Sequence, residues 1–400
     1  MRRLPMPERA DWRGSAERMG FRFHHMEGMP YWDETACIAF TLEEVERDLE
    51  APAAELHAMC LDLVDRASGS EALMERLRVP APYRDLVASS WRAREPSLLG
   101  RMDFAYAGQG PGHPPAKLLE YNADTPTSLF EAAVFQWTWL EEMTGSGALP
   151  QGADQFNSLH EALVAAYRGL PRDSLLHFTC DASSIEDHGT IAYMMDCALQ
   201  GGQRPKFVGI DRIGVDARGR FTDEDELAVD RLSKLYPWEW MFADEFGPKI
   251  PGSGTRFVEP PWKALISSKA ILPVLWEAHE GHPNLLPAYF GDDERAASMG
   301  DRVRKPVFSR EGANTSLVLG GEAIAETAGP YGAEGFVHQA AAPLFRSEAG
   351  YALVGAWIVG GEPHGVGIRE DASPITGNLS RFLPHVILEE DAAKPGSPGP

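Results

Sequence analysis

The apolar positions of the chain follow two periods. From Thr41, Leu42, Val45 and Leu49 recur at three- and four-residue spacing, as on a helix with one buried face. Thr41-Leu42-Glu43-Glu44 supplies a start, because the Thr hydroxyl and the Glu carboxylate can satisfy each other's free backbone N–H groups. Pro52 is expected to interrupt this helix, with Leu56, Met59, Cys60 and Leu63 resuming the stripe as far as Ser68-Gly69-Ser70. Arg101 to Phe104 and Lys117 to Asn122 read instead as strands, and the Gly- and Pro-rich stretch 108–115 between them predicts a hairpin with a long loop. Thr125-Pro126 predicts a cap and first turn for an amphipathic helix through Leu129, Phe130, Ala133, Val134, Trp137 and Leu140.

Further on, a strand at Leu175 to Thr179, a helix from about Ser184 to Gly201-Gly202 and a strand at Lys206 to Ile210 alternate as in an α/β layer. Ala352 to Val359, a Gly360-Gly361 turn region and His364 to Arg369 predict an antiparallel hairpin. The Pro- and Gly-rich end, 394–400, has the composition of a disordered tail. The fold class expected from these elements is α/β (α+β), without internal repeats.

The 400 residues are 44% hydrophobic and 10% aromatic, enough to bury a large core and to exclude disorder for most of the chain. Asp and Glu number 59 against 37 Lys and Arg, a formal net charge of −22. The basic residues are scattered singly, which argues against nucleic acid as a partner and suits solubility or cationic partners. Cys37, Cys60, Cys180 and Cys197 form no C-x-x-C pattern and read as buried thiols. The first residues carry charge without a following apolar run, and no stretch approaches the roughly 18 apolar residues of a membrane span. A cytoplasmic protein with no membrane partner is therefore expected.

Common nucleotide and hydrolase signatures are missing, including G-x-x-x-x-G-K-[ST], a complete G-x-G-x-x-G and G-x-S-x-G. His279-Glu280-Gly281-His282 has its histidines three apart rather than four, with Gly281 and Pro283 against a helix, so zinc is not expected there. The strongest cluster is Arg101-x-Asp103 followed by Glu120-Tyr121-Asn122. Residues two apart on a strand share a face, so pairing of the two strands would bring Asp103, Glu120, Asn122 and one guanidinium together. Carboxylate and amide oxygens suit Mg²⁺, and an arginine beside them suits an anionic group in transfer. An exposed hairpin face with a surface ion pair is the plainer alternative.

Glu186 and Asp187 fall at a helix start, where acids serve as caps, or meet a cationic amine if they face a cleft. Lys234 to Phe242 packs four aromatics into a short stretch, as core or as the border of a planar ligand. Lys269 and Lys305 each sit beside an apolar run, where a lysine either reaches water or aims at an anion. Ser309 to Ser316 is small and polar, a composition that could fold over phosphates.

These segments carry a resemblance to the glutathionylspermidine synthase family of ATP-grasp ligases, running from roughly Trp12 to Leu388. Its most specific stretches are Leu119-Glu120-Tyr121-Asn122-Ala123-Asp124-Thr125, Ser268-Lys269-Ala270-Ile271-Leu272-Pro273-Val274-Leu275-Trp276, Lys305-Pro306 with Arg310 and Gly312, and Gly367-Ile368-Arg369-Glu370-Asp371. The resemblance implies an ATP-grasp fold with nucleotide between two lobes, preceded by a preATP-grasp-like N-terminal region. It makes 1–390 one ligase domain of several lobes and leaves 391–400 as tail. It implies a reaction in which ATP phosphorylates a carboxylate of the glutathione type and a cationic amine displaces phosphate to give an amide. By position, it makes Asp103, Glu120 and Asn122 Mg²⁺ ligands, and Lys269, Lys305, Arg310 and Gly312 ATP contacts. Arg101 and Arg369 become the groups that steady the acyl phosphate, with Thr125, Thr127, Glu186 and Asp187 as substrate contacts.

The chain departs from the family in starting directly with the ligase-like region, so the amidase domain fused to some members is expected to be absent. Thr125-Pro126-Thr127 replaces small Ser positions of the polyamine-making synthases, which is expected to reshape the peptide pocket. Arg381, aligned where an amine substrate would want an acid, argues against spermidine itself. Two other classes remain open: a nucleotide or polyamine sensor without turnover, and a metal-dependent hydrolase, which lacks a histidine ligand set.

Overall fold

The computed structural model describes residues 1–389; the predicted tail lies outside the described residues. At its centre is an antiparallel sheet made by two hairpins from distant parts of the chain. Leu99–Ala105 pairs with Lys117–Asn122, and Gly350–Val359 pairs with Glu362–Asp371, as the alternation predicted. The two hairpins join through Leu99–Ala105 and Gly350–Val359, and Arg381–Leu383 closes the outer edge.

The two-residue period gives this sheet two different faces. Met102, Phe104, Val354, Ala356, Val366 and Ile368 point into one apolar core, which also receives Leu56, Cys60 and Leu63 from the helix Ala51–Ser68. Trp357, Val359 and Phe382 belong to a second core with Leu129, Ala132 and Phe135. The remainder of that second face carries the polar residues of the hairpins and is left open.

Beside this sheet lie a parallel four-stranded sheet, ordered Arg256–Val258, Arg231–Lys234, Leu176–Thr179 and Pro205–Phe207, and an antiparallel five-stranded sheet that includes Arg302–Pro306. The helix Ile185–Gln200 follows the first of these strands, with the Ser184 hydroxyl accepting from the Asp187 N–H as its cap. Arg2–Pro5, Ala36–Phe40 and His385–Ile387 form a further small sheet. Among the described residues no helix is long and apolar enough to cross a membrane.

Four expectations need correction. The Thr41–Glu44 capping box forms, but Leu42 is 56% exposed rather than part of the buried stripe. Pro52 does not interrupt the helix, because a π turn at Glu46–Glu50, in which the Ala51 N–H reaches back to the Glu46 carbonyl, widens the backbone just ahead of the ring. Thr125-Pro126 does not cap the next helix, which starts only at residue 129. Extended backbone is kept there by two distant donors: Arg310 Nη2 donates to Thr125 Oγ1 and Arg101 Nη1 to the Thr127 carbonyl. The strand predicted at 206–210 is shorter, at Pro205–Phe207.

Candidate active site

The open face of the central sheet assembles the predicted chemistry. Asp103 stands opposite Glu120, and Arg101 opposite Asn122. The next strand places Gly355 against Asp103 and Trp357 against Arg101; beyond it, Arg369 lies opposite Leu353. A Cβ at Gly355 would stand 2.8 Å from Arg101 Cδ and 3.2 Å from Asp103 Oδ1, so a bare backbone here makes room for the pair. The face forms one wall of a cavity of about 1020 Å³, whose lining includes every site residue that the sequence singled out.

The wall is a network of charges. Arg101 Nε and Nη2 donate to the two oxygens of Asp103 at 2.7 and 2.9 Å. Burial opposes the Arg101 charge, but Asp103 outweighs it and holds the guanidinium above its ordinary value; burial pushes the Asp103 carboxyl up against Arg101. Asn122 Nδ2 donates to Asp103 at 3.0 Å and to Glu120 at 3.2 Å. Lys269 lies 3.0 Å from Glu120 Oε2 and donates to the Ser309 carbonyl. Burial pushes the Glu120 carboxyl up, yet Lys269 and Lys305 together bring it down to about 2.

Lys305 is different. Its ammonium is buried and donates to the Leu119 carbonyl and Gln339 Oε1, with no carboxylate in ion-pair distance among the described residues. Burial lowers it to about 8, against the pull of Glu120. It is a cation held at a dry wall beside Glu120 and Lys269.

The polar loop that begins at Ser309 crosses the cavity. Arg310 lies over the Trp240 ring at 5.0 Å and 3.7 Å from Glu239. Gly312 has φ +66°, and a Cβ there would meet the Thr376 carbonyl at 2.6 Å, so this glycine lets the loop touch the 375–376 segment. Arg369 donates to the carbonyls of Ser380, Gly377 and Asn378. Glu186 and Asp187 do face the cavity, beyond their place at the helix start. Burial raises Glu186 while Arg369 opposes, and burial with Glu186 brings Asp187 up to about 6.

Other residues lie outside the set expected at the site, and of these Lys234 as an ion-pair partner and Glu131 carried no sequence signal. Asp124 is buried in an ion pair with Lys234 and accepts from the Trp238 N–H, tying the acidic hairpin to the aromatic segment. Of that segment Trp238 is core, while Trp240 lines the cavity. Glu131 is buried without a hydrogen-bond partner among the described residues. Arg381 does not face the cavity: it is bound to Asp33 and Glu370, so its charge is spent inside the fold and says nothing against a polyamine. Among the described residues no group of three His, Cys, Asp or Glu gathers as a metal cluster, His279 and His282 included.

The donor set fits Mg²⁺ with a nucleotide. Two carboxylates and an amide supply only oxygen ligands and leave positions for phosphate and water, as Mg²⁺ favours. Lys269, Lys305 and Arg310 surround the same space with positive charge.

The family model for the glutathionylspermidine synthase preATP-grasp region matches residues 3–388. A protein of Haemophilus influenzae described as "Putative acid–amine ligase" is 37% identical over 397 residues, covering 96% of this chain and 98% of its own. Trypanothione synthetase of Crithidia fasciculata is 27% identical over 82% of this chain, and the bifunctional glutathionylspermidine synthetase/amidase of Escherichia coli 26% identical over 87%. These matches span 53% and 59% of the lengths of those two proteins. Among solved structures, a glutathione synthetase like-effector from Globodera pallida in apoform matches with a TM-score of 0.55, covering 94% of this chain and 96% of its own at 10% identity, a likeness of fold alone.

The fold and the family together define an ATP-grasp, ATP-dependent carbon–nitrogen ligase that uses ATP and Mg²⁺. The chain belongs to the glutathionylspermidine synthase family.

Proposed function

We propose that the protein joins a small peptide-like carboxylate of the glutathione class to a cationic amine through an acyl phosphate. The observation that carries this reading is one cavity lined together by Arg101, Lys269, Lys305, Arg369, Asp103 and Glu120, which Glu186 and Asp187 face from the helix Ile185–Gln200.

Asp103, Glu120 and the Asn122 amide oxygen would hold Mg²⁺, which neutralises phosphate oxygens when bound. Lys269 and Lys305 bind the phosphate chain, and Arg310 and Gly312 carry the loop across the nucleotide. Arg101 and Arg369 orient the phosphoryl group as it passes to the carboxylate oxygen. Thr125 and Thr127 bind the peptide acid. Glu186 and Asp187 bind the ammonium end of the amine; once its nitrogen is neutral it attacks the acyl carbon, the C–N bond forms, the C–O bond to phosphate breaks and the nitrogen gives up a proton. Without nucleotide, Arg101 and Lys269 are occupied by Asp103 and Glu120, so substrate binding exchanges ion pairs rather than exposing bare charge. ATP use and buried free thiols suit a cytoplasmic setting, which we include in the reading.

The test is ADP release and amide formation, followed by mass spectrometry, from Mg-ATP with glutathione and related γ-glutamyl peptides against a panel of polyamines and other primary amines. Glu120→Ala is expected to abolish product while leaving the fold intact. Tight Mg-ATP binding with no ADP release across the panel would overturn the ligase reading in favour of a nucleotide sensor.

A further inference from the structure

Glu131 is a buried acid to which the reaction above gives no task, and unlike Asp124, which is paired with Lys234, it has no ion-pair partner among the described residues. It is 0% exposed, opens the π turn Glu131–Phe135, and among the described residues neither carboxyl oxygen has a hydrogen-bond partner. A lone carboxylate in such a place is costly, and π turns in helices concentrate at functional sites. The turn packs on the same sheet face as Arg369: a Cβ at Gly367 would lie 3.7 Å from Ala132 Cβ, and Gly367 and Arg369 share that face.

Tyr31 and Ser128, the latter three residues before Glu131, both touch Arg369. The Tyr31 ring lies 5.2 Å from the Arg369 guanidinium, its hydroxyl is 3.0 Å from Ser128 Oγ, and Arg369 Nη1 donates to that same Oγ at 3.4 Å. Among the described residues Arg369 has no carboxylate within ion-pair distance, and its other donors go to backbone carbonyls. One arginine is thus shared at longer range by two acids, Glu131 inside the fold and Glu186 in the cavity.

We propose that Glu131 is a positioning residue that sets the charge of the amine pocket: ionised, it balances Arg369 from behind and frees Glu186 for the substrate ammonium; protonated, it cedes Arg369 to Glu186. The inference rests on the reading of Glu186 as an amine contact. Both effects of the ionised form, a released Glu186 and an added negative potential, favour a cation in the pocket. Burial, with Glu186 next, raises the Glu131 carboxyl to about 7, while Tyr31 and Arg369 favour its charged form. The groups facing it are Tyr31, Glu186 and Arg369; the helix Leu159–Gly169, also packed on the turn, buries Leu159, Leu163 and Tyr167. Loss of proton from Glu131 as pH rises through about 7 therefore strengthens amine binding.

Calorimetric titration of the full chain with spermidine, at pH 8 and pH 6, tests this. Wild type is expected to bind about tenfold more tightly at pH 8 than does Glu131→Gln, for the loss of one charge at this range. Glu131→Asp should restore most of the difference, and the variants should agree more closely at pH 6. With an amine that supports turnover, Glu131→Gln should raise its KM by a similar factor and leave kcat within about twofold. Equal spermidine affinity in wild type and Glu131→Gln at pH 8 overturns the inference and spares the ligase reading, as does a loss of affinity that Glu131→Asp does not recover. Failure of wild type to bind or use any amine overturns both.

Discussion

Lys305 is a cation placed where a cation is expensive, and Lys305→Met tests why it is there. The side chain is 7% exposed, and burial brings the ammonium down to about 8 from the 10.5 of a free lysine. Between those values the unfolded chain holds a proton that the folded chain has released, so the stability of the ligand-free protein rises with pH across that window. Below about 8 the folded state carries the whole penalty, about 3 kcal/mol at 1.4 kcal/mol per pH unit. A phosphate set against Lys305 favours the charged form and returns its proton affinity toward the ordinary value. Mg-ATP binding at pH 8.5 should then take up about three-quarters of a proton, falling to about a tenth at pH 7. Calorimetry in two buffers of different ionisation enthalpy reads that uptake directly. In Lys305→Met the uptake should vanish, nucleotide affinity should fall by about a hundredfold or more, and the rise of ligand-free stability between pH 8 and 10 should flatten. Nucleotide binding without proton uptake at pH 8.5, or with equal uptake in the variant, would refute the reasoning.

Gly355→Ala should push a methyl group into Arg101 and Asp103, given the 2.8 Å and 3.2 Å separations; a drop in kcat/KM of about a hundredfold is expected, since small displacements at a reacting centre cost that much, and an unchanged value would show that the pair can shift freely. Asp124→Asn leaves Lys234 buried without its counter-charge and should cost about 3–5 kcal/mol in urea unfolding. Thr41→Ala removes half of the capping box that starts the first long helix and should cost about 1 kcal/mol by the same measurement.

The Gly- and Pro-rich stretch between two strand-like segments was enough to foresee the acidic hairpin, and the two-residue period to put Arg101 and Asp103 on one face, because both are local properties; the register that sets Asp103 opposite Glu120 is not. Gly360-Gly361 marked the other hairpin for the same reason. What escaped the linear reading depended on partners far along the chain. Thr125-Pro126 has the chemistry of a helix start, yet Arg310 and Arg101 keep that stretch extended from 185 and 26 residues away. Arg381 reads in the sequence as an argument against spermidine, yet Asp33 and Glu370 consume its charge. Glu131 occupies a position that composition alone would assign to an exposed helix face, and only the packing of its turn on the sheet buries it. Asp103 and Glu120 could be proposed as ligands from their spacing, but the ion pairs they make in the absence of nucleotide could not.

The joining of two hairpins some 250 residues apart also governs when the catalytic wall can exist during synthesis. Leu99–Ala105 and Lys117–Asn122 emerge from the ribosome early, but Gly355, the position that gives Arg101 its space, and Arg369 come only with the closing part of the chain. His385–Ile387 then pairs with Ala36–Phe40, so the last described strand completes a sheet begun by the first. At synthesis rates of about 5–20 residues per second, the acidic hairpin waits on the order of ten to fifty seconds for its neighbour strand. Through that interval its polar edge has no native partner, and a chain halted just short of Gly350 holds most of the described residues without the wall on which the site is built.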